Sequence, residues 1–586
     1  MIGVISKVDQ VAVVEEFFEL FKTPWEFYEP GRRYDVVVAT VDDVPEIDAR
    51  LLIVYGAETS SVDARNGITV RSRDRSGALS CQGVVLPIYG NLTTFEENGR
   101  CSPCVRTVPG QLAGLRVASA AGAAILRFGY DLFEETRLLL SAGQPAEHAH
   151  VPALDLHIYM FRNWVVSEGI SLLEIPPIPV DRSFIVCLTH DIDFVGIRNH
   201  KFDHTMGGFL YRSTVGAVRN LLRGRISIAR FLRTWRAVAS LPLVYLGWAK
   251  DFWIPFEWYL RVENNLPATY FLIPFKGRSG EQVPGKHAAR RASTYDVSDI
   301  SDWTATLKSQ GCELGVHGID AWHSVEKGRA ERERIAEING ESALGIRMHW
   351  LLRNTNTTSV LESAGYDYDS TAGYNETIGY LSGTSQVFRP LLAKTLLELP
   401  LHIQDGALFY NTKLDLSELE AEKRCKDLIE NARQFGGVLT ILWHDRSHAP
   451  ERFWGDFYIR LIEVLRSSDA WFATARQVVS WFRKRREVRF ERLGSANGVR
   501  CCVVEQRDDV SLPSLSVRIH RPSVGRRDER PRGELGYSFI DIPWNAKTMM
   551  EFDSLRNDSE DQVRLSATEV CSHEVSLPSD TKPVRA

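Results

Sequence analysis

Short runs of apolar, strand-forming residues alternate with polar turns and helical patterns through the middle of this 586-residue chain. The runs are FIVCLTH, PATYFLIPF, CELGVHG, LLELPLHI, GVLTILWH and WFATA, and they fall between Phe184 and Arg485. Continuous apolar runs with helices between them are typical of parallel strands joined by helical crossovers. The pattern therefore predicts an α/β fold for this region, either a barrel or a doubly wound sheet.

The regions on either side have different patterns. Residues 1–180 mix short strand-like runs such as YDVVVATV with two helical stretches, which predicts an N-terminal α/β domain of unknown role. The linker PPIPVDRS separates it from the central region, 181–487. Strand-like runs in 488–552 predict a small β-rich region, and the polar composition of 553–586 predicts a disordered tail.

Charge and composition exclude several classes of partner. The formal net charge of −5 creates no overall field that favours nucleic acid, so no nucleic-acid partner is predicted. No apolar run is long and uninterrupted enough for a transmembrane helix, and the first residues lack the apolar region of a signal peptide. Nine scattered cysteines fit a reducing compartment. We therefore expect a cytoplasmic protein whose membrane contact, if any, is peripheral.

One segment offers such a contact. Six arginines alternate there with apolar residues: Arg219, Arg223, Arg225, Arg230, Arg233 and Arg236. This pattern is typical of an amphipathic helix on anionic lipid headgroups, and also of a helix that packs on its own barrel. We expect the second arrangement.

Histidines and carboxylates follow several of the predicted strands. Functional residues gather at the carboxyl ends of parallel strands, and His190, His317 and His444 lie at or near three such ends. Asp191 and Asp193 are two residues apart, so an extended backbone projects both carboxylates to the same side. A divalent metal held by one carboxylate, with the other left as a base, explains the pair. A solvated loop start explains these two residues equally well.

Two further stretches carry candidate chemistry. Arg347, in GIRMHWLLRN, can hold a carboxylate by paired hydrogen bonds and keep it ionised, and His349 and Trp350 are candidates to line a pocket. His444 follows the strand GVLTILWH, where a histidine can donate a proton to a leaving group. Taken singly, each also fits an ordinary strand or turn residue.

In their order and spacing, these stretches resemble the motifs of the polysaccharide deacetylase family, which has the NodB-like fold. The matching stretches are THDID, VHGIDAWHS, RMHW, YDYDSTAGY followed by FRP, and LTILWH, within about residues 182–485. The resemblance implies a distorted (β/α) barrel. It also implies a metal-dependent hydrolase that removes an N- or O-linked acetyl group from a carbohydrate or glycan precursor.

The resemblance also implies roles for particular residues. Asp191 matches the general base, Asp193 the metal carboxylate and His317 the first metal histidine. Arg347 matches the residue that orients the base, and His444 the general acid. The expected cofactor is a divalent metal, zinc first, with cobalt, nickel or iron as alternatives. Trp350, Trp443 and Asp369 are the residues we assign to the substrate.

The chain departs from the family pattern at one metal ligand. The second metal histidine usually follows the first by four residues, and that position is Ala321 here. We favour His190 as the third protein ligand, with His323 as the alternative. If neither reaches the ion, metal binding is weak or lost.

Two other functions remain open. Ala321 favours a catalytically degenerate barrel that binds glycan or lipid-linked sugar without cleaving it. IVCLTHDIDFV also resembles the start of a haloacid-dehalogenase-type phosphatase, in which Asp191 is the nucleophile and Asp193 the acid, with magnesium. That fold needs a later lysine and paired acidic residues after a strand, and GVLTILWHD offers a histidine and one aspartate instead. We rank it last.

Overall fold

The computed structural model describes residues 1–566 except 82, 100, 119–122, 225, 283–287, 494–497, 504–510, 523–536, 545–548 and 553–562. The described residues form four β-sheets. Of the tail expected to be disordered, only the strand Val563–Ser566 lies within the described residues. None of the described helices is long and apolar enough to cross a bilayer.

The N-terminal part forms an eleven-stranded mixed sheet with helices, which confirms the predicted α/β character. The outer strands on one side pair in parallel, and the later strands pair in antiparallel hairpins. The strands are β1 Ile2–Ile5, β2 Trp25–Phe27, β3 Tyr34–Ala39, β4 Ala49–Tyr55, β5 Val70–Asp74, β6 Gly77–Cys81, β7 Val84–Ile88, β8 Leu92–Phe95, β9 Cys101–Thr107, β10 Leu112–Ala118 and β11 Ala124–Phe128. The helices are α1 Val11–Phe21, α2 Ser61–Asn66, α3 Leu132–Ser141 and α4 Ala153–Ser167.

The central part is a curled sheet of nine parallel strands. The strand β12 Leu172–Glu174 precedes this sheet in the sequence and is part of a separate three-stranded sheet. The nine strands of the central sheet are β13 Phe184–Ile192, β14 Ala268–Leu272, β15 Glu313–Gly318, β16 Gly345–Met348, β17 Tyr368–Asp369, β18 Leu397–Glu398, β19 Ile403–Gln404, β20 Val438–Leu442 and β21 Ala470–Phe472. All nine residues of β13 are buried, because β14, β20 and β21 all pair with it and helices cover the sheet.

The sheet closes through one segment, 397–404. Its first strand pairs with β17 at one edge, and its second strand pairs with β20 at the other. The predicted distorted (β/α) barrel is thereby confirmed. The surrounding helices are α5 His204–Tyr211, α6 Ala217–Leu222, α7 Ile228–Tyr245, α8 Phe256–Glu263, α9 Ser301–Ser309, α10 Val325–Asn339, α11 Thr357–Ala364, α12 Asp405–Phe409, α13 Glu418–Phe435, α14 Gly455–Arg466 and α15 Ala475–Arg486.

The C-terminal part is β-rich, as predicted, and forms two small antiparallel sheets. Its strands are β22 Val488–Leu493, β23 Gly498–Val503, β24 Leu515–Pro522, β25 Tyr537–Trp544, β26 Met549–Phe552 and β27 Val563–Ser566. β24 also pairs with β12, which precedes the barrel in sequence. The chain thus returns after the barrel to the segment that leads into it.

A buried aspartate ties the N-terminal part to the barrel. Asp155 on α4 accepts hydrogen bonds from Thr384 Oγ1 at 2.6 Å and from the Ser385 backbone N–H at 2.9 Å. Burial raises the pKa of Asp155 to about 6, against the lowering effect of these hydrogen bonds. The contact therefore depends on full hydrogen bonding of a desolvated carboxyl group.

Replacing this aspartate is expected to destabilise the protein. Asp155→Ala removes the acceptor of both the Thr384 hydroxyl proton and the Ser385 N–H, and we expect it to cost about 1 to 3 kcal/mol. The midpoint of urea unfolding measures the effect. The matched control is Asp427→Ala on the exposed face of α13, which should leave the midpoint unchanged. Equal midpoints for the two variants would contradict a stabilising role for Asp155.

Candidate metal centre and catalytic groups

Neighbouring strands of the barrel deliver the candidate residues to one edge of the sheet. Asp191 lies within β13, and Asp193 follows its last residue. His317 lies near the end of β15, Arg347 lies within β16, and His444 comes two residues after β20. Because these strands are parallel, their carboxyl ends share one side of the barrel, as the sequence predicts.

Three side chains form a cluster with the ligand set of a metal site. Asp193, His317 and His349 each offer one ligand atom, and these atoms lie within 4.8 Å of one another. Asp193 Oδ1 is 3.3 Å from His317 Nε2 and 3.1 Å from His349 Nδ1, and the two ring nitrogens are 2.9 Å apart. The oxygen is buried and has no hydrogen-bond partner. A cation between the three atoms would satisfy all of them.

The surroundings prepare these groups to bind a cation. His317 Nδ1 is 3.0 Å from the Arg347 carbonyl oxygen, which can only accept a hydrogen bond, so Nδ1 carries the proton and Nε2 presents its lone pair. Burial acts to raise the pKa of Asp193, but His349 and His317 outweigh it and hold the pKa well below its usual range. Burial lowers the pKa of His349, against the raising effect of Asp193. One carboxylate and two imidazoles fit a catalytic zinc-type site with an open position.

The structure places His190, which we predicted as the third ligand, away from the cluster. His190 lies in the core, with Nδ1 2.9 Å from the Trp443 carbonyl oxygen and Nε2 2.7 Å from Glu263 Oε1. Both ring nitrogens are therefore engaged elsewhere. His323 is also outside the cluster, because its Nε2 lies 3.1 Å from Asp320 Oδ1. His349 takes the place that we predicted for His190.

Ala321, at the position where a second metal histidine was expected, is closely packed. Ala321 is fully buried and faces Gly328 on α10. A Cβ atom on Gly328 would lie 3.2 Å from the Ala321 Cβ, so the helix packs directly against this position. An imidazole would not fit without moving α10.

The carboxylate of Asp191 lies beside the cluster and is held by an arginine. Arg347 Nη1 donates to Asp191 Oδ1 at 3.1 Å and to Thr189 Oγ1 at 2.7 Å. Its remaining nitrogens donate to the carbonyl and hydroxyl oxygens of Ser370 at 2.9 and 2.8 Å. The other oxygen, Asp191 Oδ2, is 3.7 Å from His317 Nε2. Arg347 thus fixes the carboxylate with one oxygen toward the cluster, although by a single hydrogen bond and not by the paired contact expected.

His444 faces the same cavity and is paired with an aspartate that the sequence analysis missed. Its Nδ1 is 2.5 Å from Asp405 Oδ1, and its backbone N–H donates to Asp405 Oδ2 at 2.8 Å. Burial acts to lower the pKa of His444, but the charge and hydrogen bond of Asp405 reverse this effect and raise it to about 10. His444 is therefore protonated at neutral pH, with Nε2 left as the ring nitrogen for the cavity.

These groups line a cavity of about 170 Å³. Trp350 stands at its rim with 38% of its surface exposed, and its φ of 65° places it on a left-handed turn. Asn375 Nδ2 donates to the Trp350 carbonyl oxygen at 2.9 Å and steadies that turn. The remaining wall includes Gln404, Tyr410, Lys413, Asp445, Arg446, Arg452 and Trp454.

Two residues that we assigned to the substrate lie elsewhere. Trp443 is fully buried and packs against Phe457 and Tyr458, with ring centroids 6.0 and 5.0 Å apart. Asp369 is buried in β17, where it accepts a hydrogen bond from Thr371 Oγ1. Neither side chain lines the cavity, so of the three only Trp350 is placed for substrate contact.

No family model and no curated protein matches this chain. Solved structures similar to it include a candidate polysaccharide deacetylase from Mycobacterium smegmatis, 18% identical, with a TM-score of 0.32 over 53% of this chain and 95% of that one. A candidate polysaccharide deacetylase from Pseudomonas aeruginosa PAO1 is 14% identical, with a TM-score of 0.31 over 52% and 92%. The PuuE allantoinase is 15% identical, with a TM-score of 0.31 over the same shares. Likenesses this distant carry no argument about activity, which must come from the site.

Proposed function

We propose that this chain is a metal-dependent hydrolase that removes an acetyl group, bound through nitrogen or oxygen, from a carbohydrate or glycan precursor. One observation supports it above the others. A three-residue ligand cluster, an arginine-held carboxylate and a protonated histidine all face one cavity. Metal-assisted hydrolysis of an amide or ester can use a bound ion, a general base and a general acid together.

Asp193, His317 and His349 would hold a divalent ion, and their nitrogen and oxygen donors suit zinc first. A bound ion supplies Lewis-acid polarisation of the acetyl carbonyl and of the attacking water. Asp191 takes the proton from that water as its oxygen bonds to the carbonyl carbon. Arg347 keeps the Asp191 carboxylate in place for this transfer.

The leaving group requires the opposite proton transfer. As the bond from the carbonyl carbon to the sugar nitrogen or oxygen breaks, His444 Nε2 gives its proton to the departing atom. Asp405 holds the ring orientation and stabilises the positive form. The products are acetate and a free amine or hydroxyl, and Trp350 offers an apolar face for the sugar ring at the rim.

The geometry gives the two alternatives less support. Ala321 was the residue that favoured a binding-only barrel, and His349 offers the donor that Ala321 lacks. A magnesium phosphatase would use oxygen ligands, whereas the cluster pairs one carboxylate with two imidazoles. The product formed distinguishes the proposed hydrolase from each of these two alternatives.

The test is a screen for acetate release from N- and O-acetylated mono- and oligosaccharides by protein loaded with zinc, cobalt, nickel or iron. We expect release from at least one substrate and none after chelation. Phosphate release from phosphorylated sugars without acetate release would instead favour the phosphatase. Saturable glycan binding with no product would favour the binding-only barrel.

The pair of His444 and Asp405 gives a pH-dependent prediction. His444 must be protonated to act as the acid, so with a pKa of about 10 activity persists through neutral pH and is lost as pH rises through that value. Asp405→Asn removes the opposite charge, so the pKa falls and the alkaline limit should move down by about 1 to 3 pH units. A pH profile of kcat measures this shift. An unchanged alkaline limit would show that His444 is not the acid, and loss of activity at every pH would show a merely structural role.

A further inference from the structure

A second cavity, of about 480 Å³, adjoins the candidate metal centre. Asp193, His349, Trp350, Tyr410 and Arg446 line both cavities. The second one extends from the ligand cluster toward α5, which contributes His204, Thr205 and Gly208, and toward Arg212 immediately after that helix. A substrate with its acetyl group at the cluster therefore has room for a further group on this side.

The walls of this extension are strongly cationic. Arg212, Arg290, Arg291 and Arg446 line it, and Arg452 lines the adjoining part of the first cavity. Arg446 lies over the Phe194 ring, 3.8 Å from guanidinium carbon to ring centroid, and Arg452 lies 4.8 Å from that of Tyr410. These aromatic contacts fix the two guanidinium groups.

Three of these arginines lack an acidic partner. Within the described part of the chain, Arg212, Arg446 and Arg452 form no ion pair, and the Nε atoms of Arg212 and Arg452 are buried without a hydrogen-bond partner. Glu451, whose Oε2 accepts a hydrogen bond from Trp253 Nε1 at 3.5 Å, acts on all three through its charge, as Asp445 does on Arg446 and Asp405 on Arg452, but none of these acids forms an ion pair with them. Burial lowers the pKa of Arg212 to about 10, and Arg452 adds to this effect. Unpaired, partly buried cations of this kind are costly unless an anion joins them.

We propose that Arg212, Arg446 and Arg452 bind a phosphate or diphosphate group of the substrate. Guanidinium groups match phosphate oxygens through paired, charge-assisted hydrogen bonds, and several guanidiniums suit a multiply charged anion better than a single carboxylate. The substrate class is then an acetylated sugar linked to phosphate. That last step rests on the proposed function, whereas binding of the anion does not.

The test is calorimetric titration of the full chain with inorganic pyrophosphate, inorganic phosphate and glucuronate, each with and without a chelator. We expect pyrophosphate to bind most tightly, with or without the chelator. Arg212→Gln and Arg446→Gln should each weaken it by about tenfold, the effect of one lost charge-assisted contact. Arg424→Gln, an exposed arginine on α13, is the matched control and should not change it.

Three results would overturn the anion site: no pyrophosphate binding, equal binding by all variants, or binding that the chelator abolishes. Tighter binding of glucuronate than of pyrophosphate would show that the site selects a carboxylate, and it would overturn the assignment to phosphate. Because no turnover is measured, these results are independent of the acetate screen. Acetate release from neutral sugars without anion binding would leave the proposed function intact and reject the anion site alone.

A separate observation concerns the surface of residues 201–250, here named the basic insertion. It runs between β13 and β14 and contains α5, α6 and α7. Its 50 residues carry nine lysines and arginines and one acidic residue, Asp203, in a chain whose overall formal charge is −5. The insertion is therefore a local positive surface on an otherwise acidic protein.

The same surface exposes large apolar side chains. Of the 24 large hydrophobic residues exposed in the described part of the chain, 12 lie within the basic insertion. The most exposed include Phe202, Leu222, Ile228, Leu246 and Trp248. The helix α7 buries only Thr234, Ala237 and Val244. The expectation that the arginine-rich helix packs on its barrel is thus met only in part, where Arg230 pairs with Glu418 and Asp456 and where Val244 packs in a small apolar cluster with Trp253.

We propose that the basic insertion docks on an anionic phospholipid surface. Exposed arginines at 219, 223 and 236 stand among the exposed apolar residues, which is the composition that binds headgroups and acyl chains together. A second copy of this chain is a poor occupant, because it would bring the same positive charges face to face. Since α5 of this insertion also lines the second cavity, docking would bring that cavity close to the bilayer.

The test is co-sedimentation of the full chain with vesicles of phosphatidylcholine alone or mixed with phosphatidylglycerol. We expect binding to the anionic vesicles, weakened by salt because exposed charges are screened. Leu222→Ser and Arg223→Glu should each reduce the bound fraction several-fold. The matched controls on α13 are Leu419→Ser, 77% exposed against 83% for Leu222, and Arg424→Glu, and neither should change it.

Docking would be rejected if no vesicle bound the chain or if all four variants bound equally. Self-association that Leu222→Ser abolishes, seen by sedimentation velocity without vesicles, would assign the surface to a protein interface instead. None of these measurements depends on turnover or on metal, so they test the docking surface alone.

Discussion

His317→Ala is expected to deprive the protein of its metal and of its activity. The substitution removes one of three protein ligands, which leaves Asp193 and His349 with too few donors for a stable site. Loss of a supporting residue costs about 10- to 100-fold in metal affinity, and loss of a direct ligand should cost more. Elemental analysis after dialysis, beside acetate release, measures both effects.

Two companion variants sharpen this experiment. His349→Ala should lose the metal in the same way, since His349 Nδ1 lies 3.1 Å from the shared Asp193 oxygen. His323→Ala should keep it, because His323 lies in the loop that follows the strand of His317 but pairs with Asp320. A full metal content in His317→Ala, or equal losses in all three variants, would contradict the ligand set.

The fold was predictable because strands that are buried on both faces of a sheet appear in the sequence as nearly continuous apolar runs. Strands such as β13 and β20 are fully buried and consist mainly of apolar residues, and the polar residues at or after their carboxyl ends mark where they stop. Because the carboxyl ends of parallel strands lie on one side of the sheet, the sequence also predicted that Asp191, His317 and His444 lie at one edge. The run LLELPLHI was predicted as one strand, but the segment 397–404 forms two strands of two residues each, and this division depends on pairing with distant partners.

The separation of His190 from the cluster has a simple physical origin. Neighbouring residues on a strand point to opposite faces, so a histidine next to Asp191 cannot share its side of β13. The same alternation sends Trp443 into the core while His444 reaches the cavity. Applied to RMHW, it places Arg347 and His349 on one side, and that signal could have identified the third ligand.

Asp405 had no comparable signal. It follows a two-residue strand and lies 39 positions from the histidine that it holds, so only the folded barrel brings the two together. Supporting residues of this kind are fixed by topology and not by local sequence. Several such supporting residues hydrogen-bond to Arg347 and His444, as expected of a functional site rather than of polar side chains grouped by chance.

Asp191→Asn is expected to reduce kcat/KM by about 10²- to 10⁴-fold, the usual contribution of a general base. Asparagine has the same shape but cannot accept the proton of the attacking water. Metal content should be unchanged, because Asp191 is not one of the three clustered ligands. Acetate release under kcat/KM conditions, with elemental analysis of the same sample, separates the two roles.

Asp369→Asn is the matched control for this substitution. Asp369 is also a buried aspartate on a barrel strand, but it bonds to Thr371 and does not line the cavity, so the variant should retain nearly full kcat/KM. If Asp191→Asn retained its activity, the base would have to be another group. If it lost metal together with activity, Asp191 would be a ligand, and the roles of the two carboxylates would have to be exchanged.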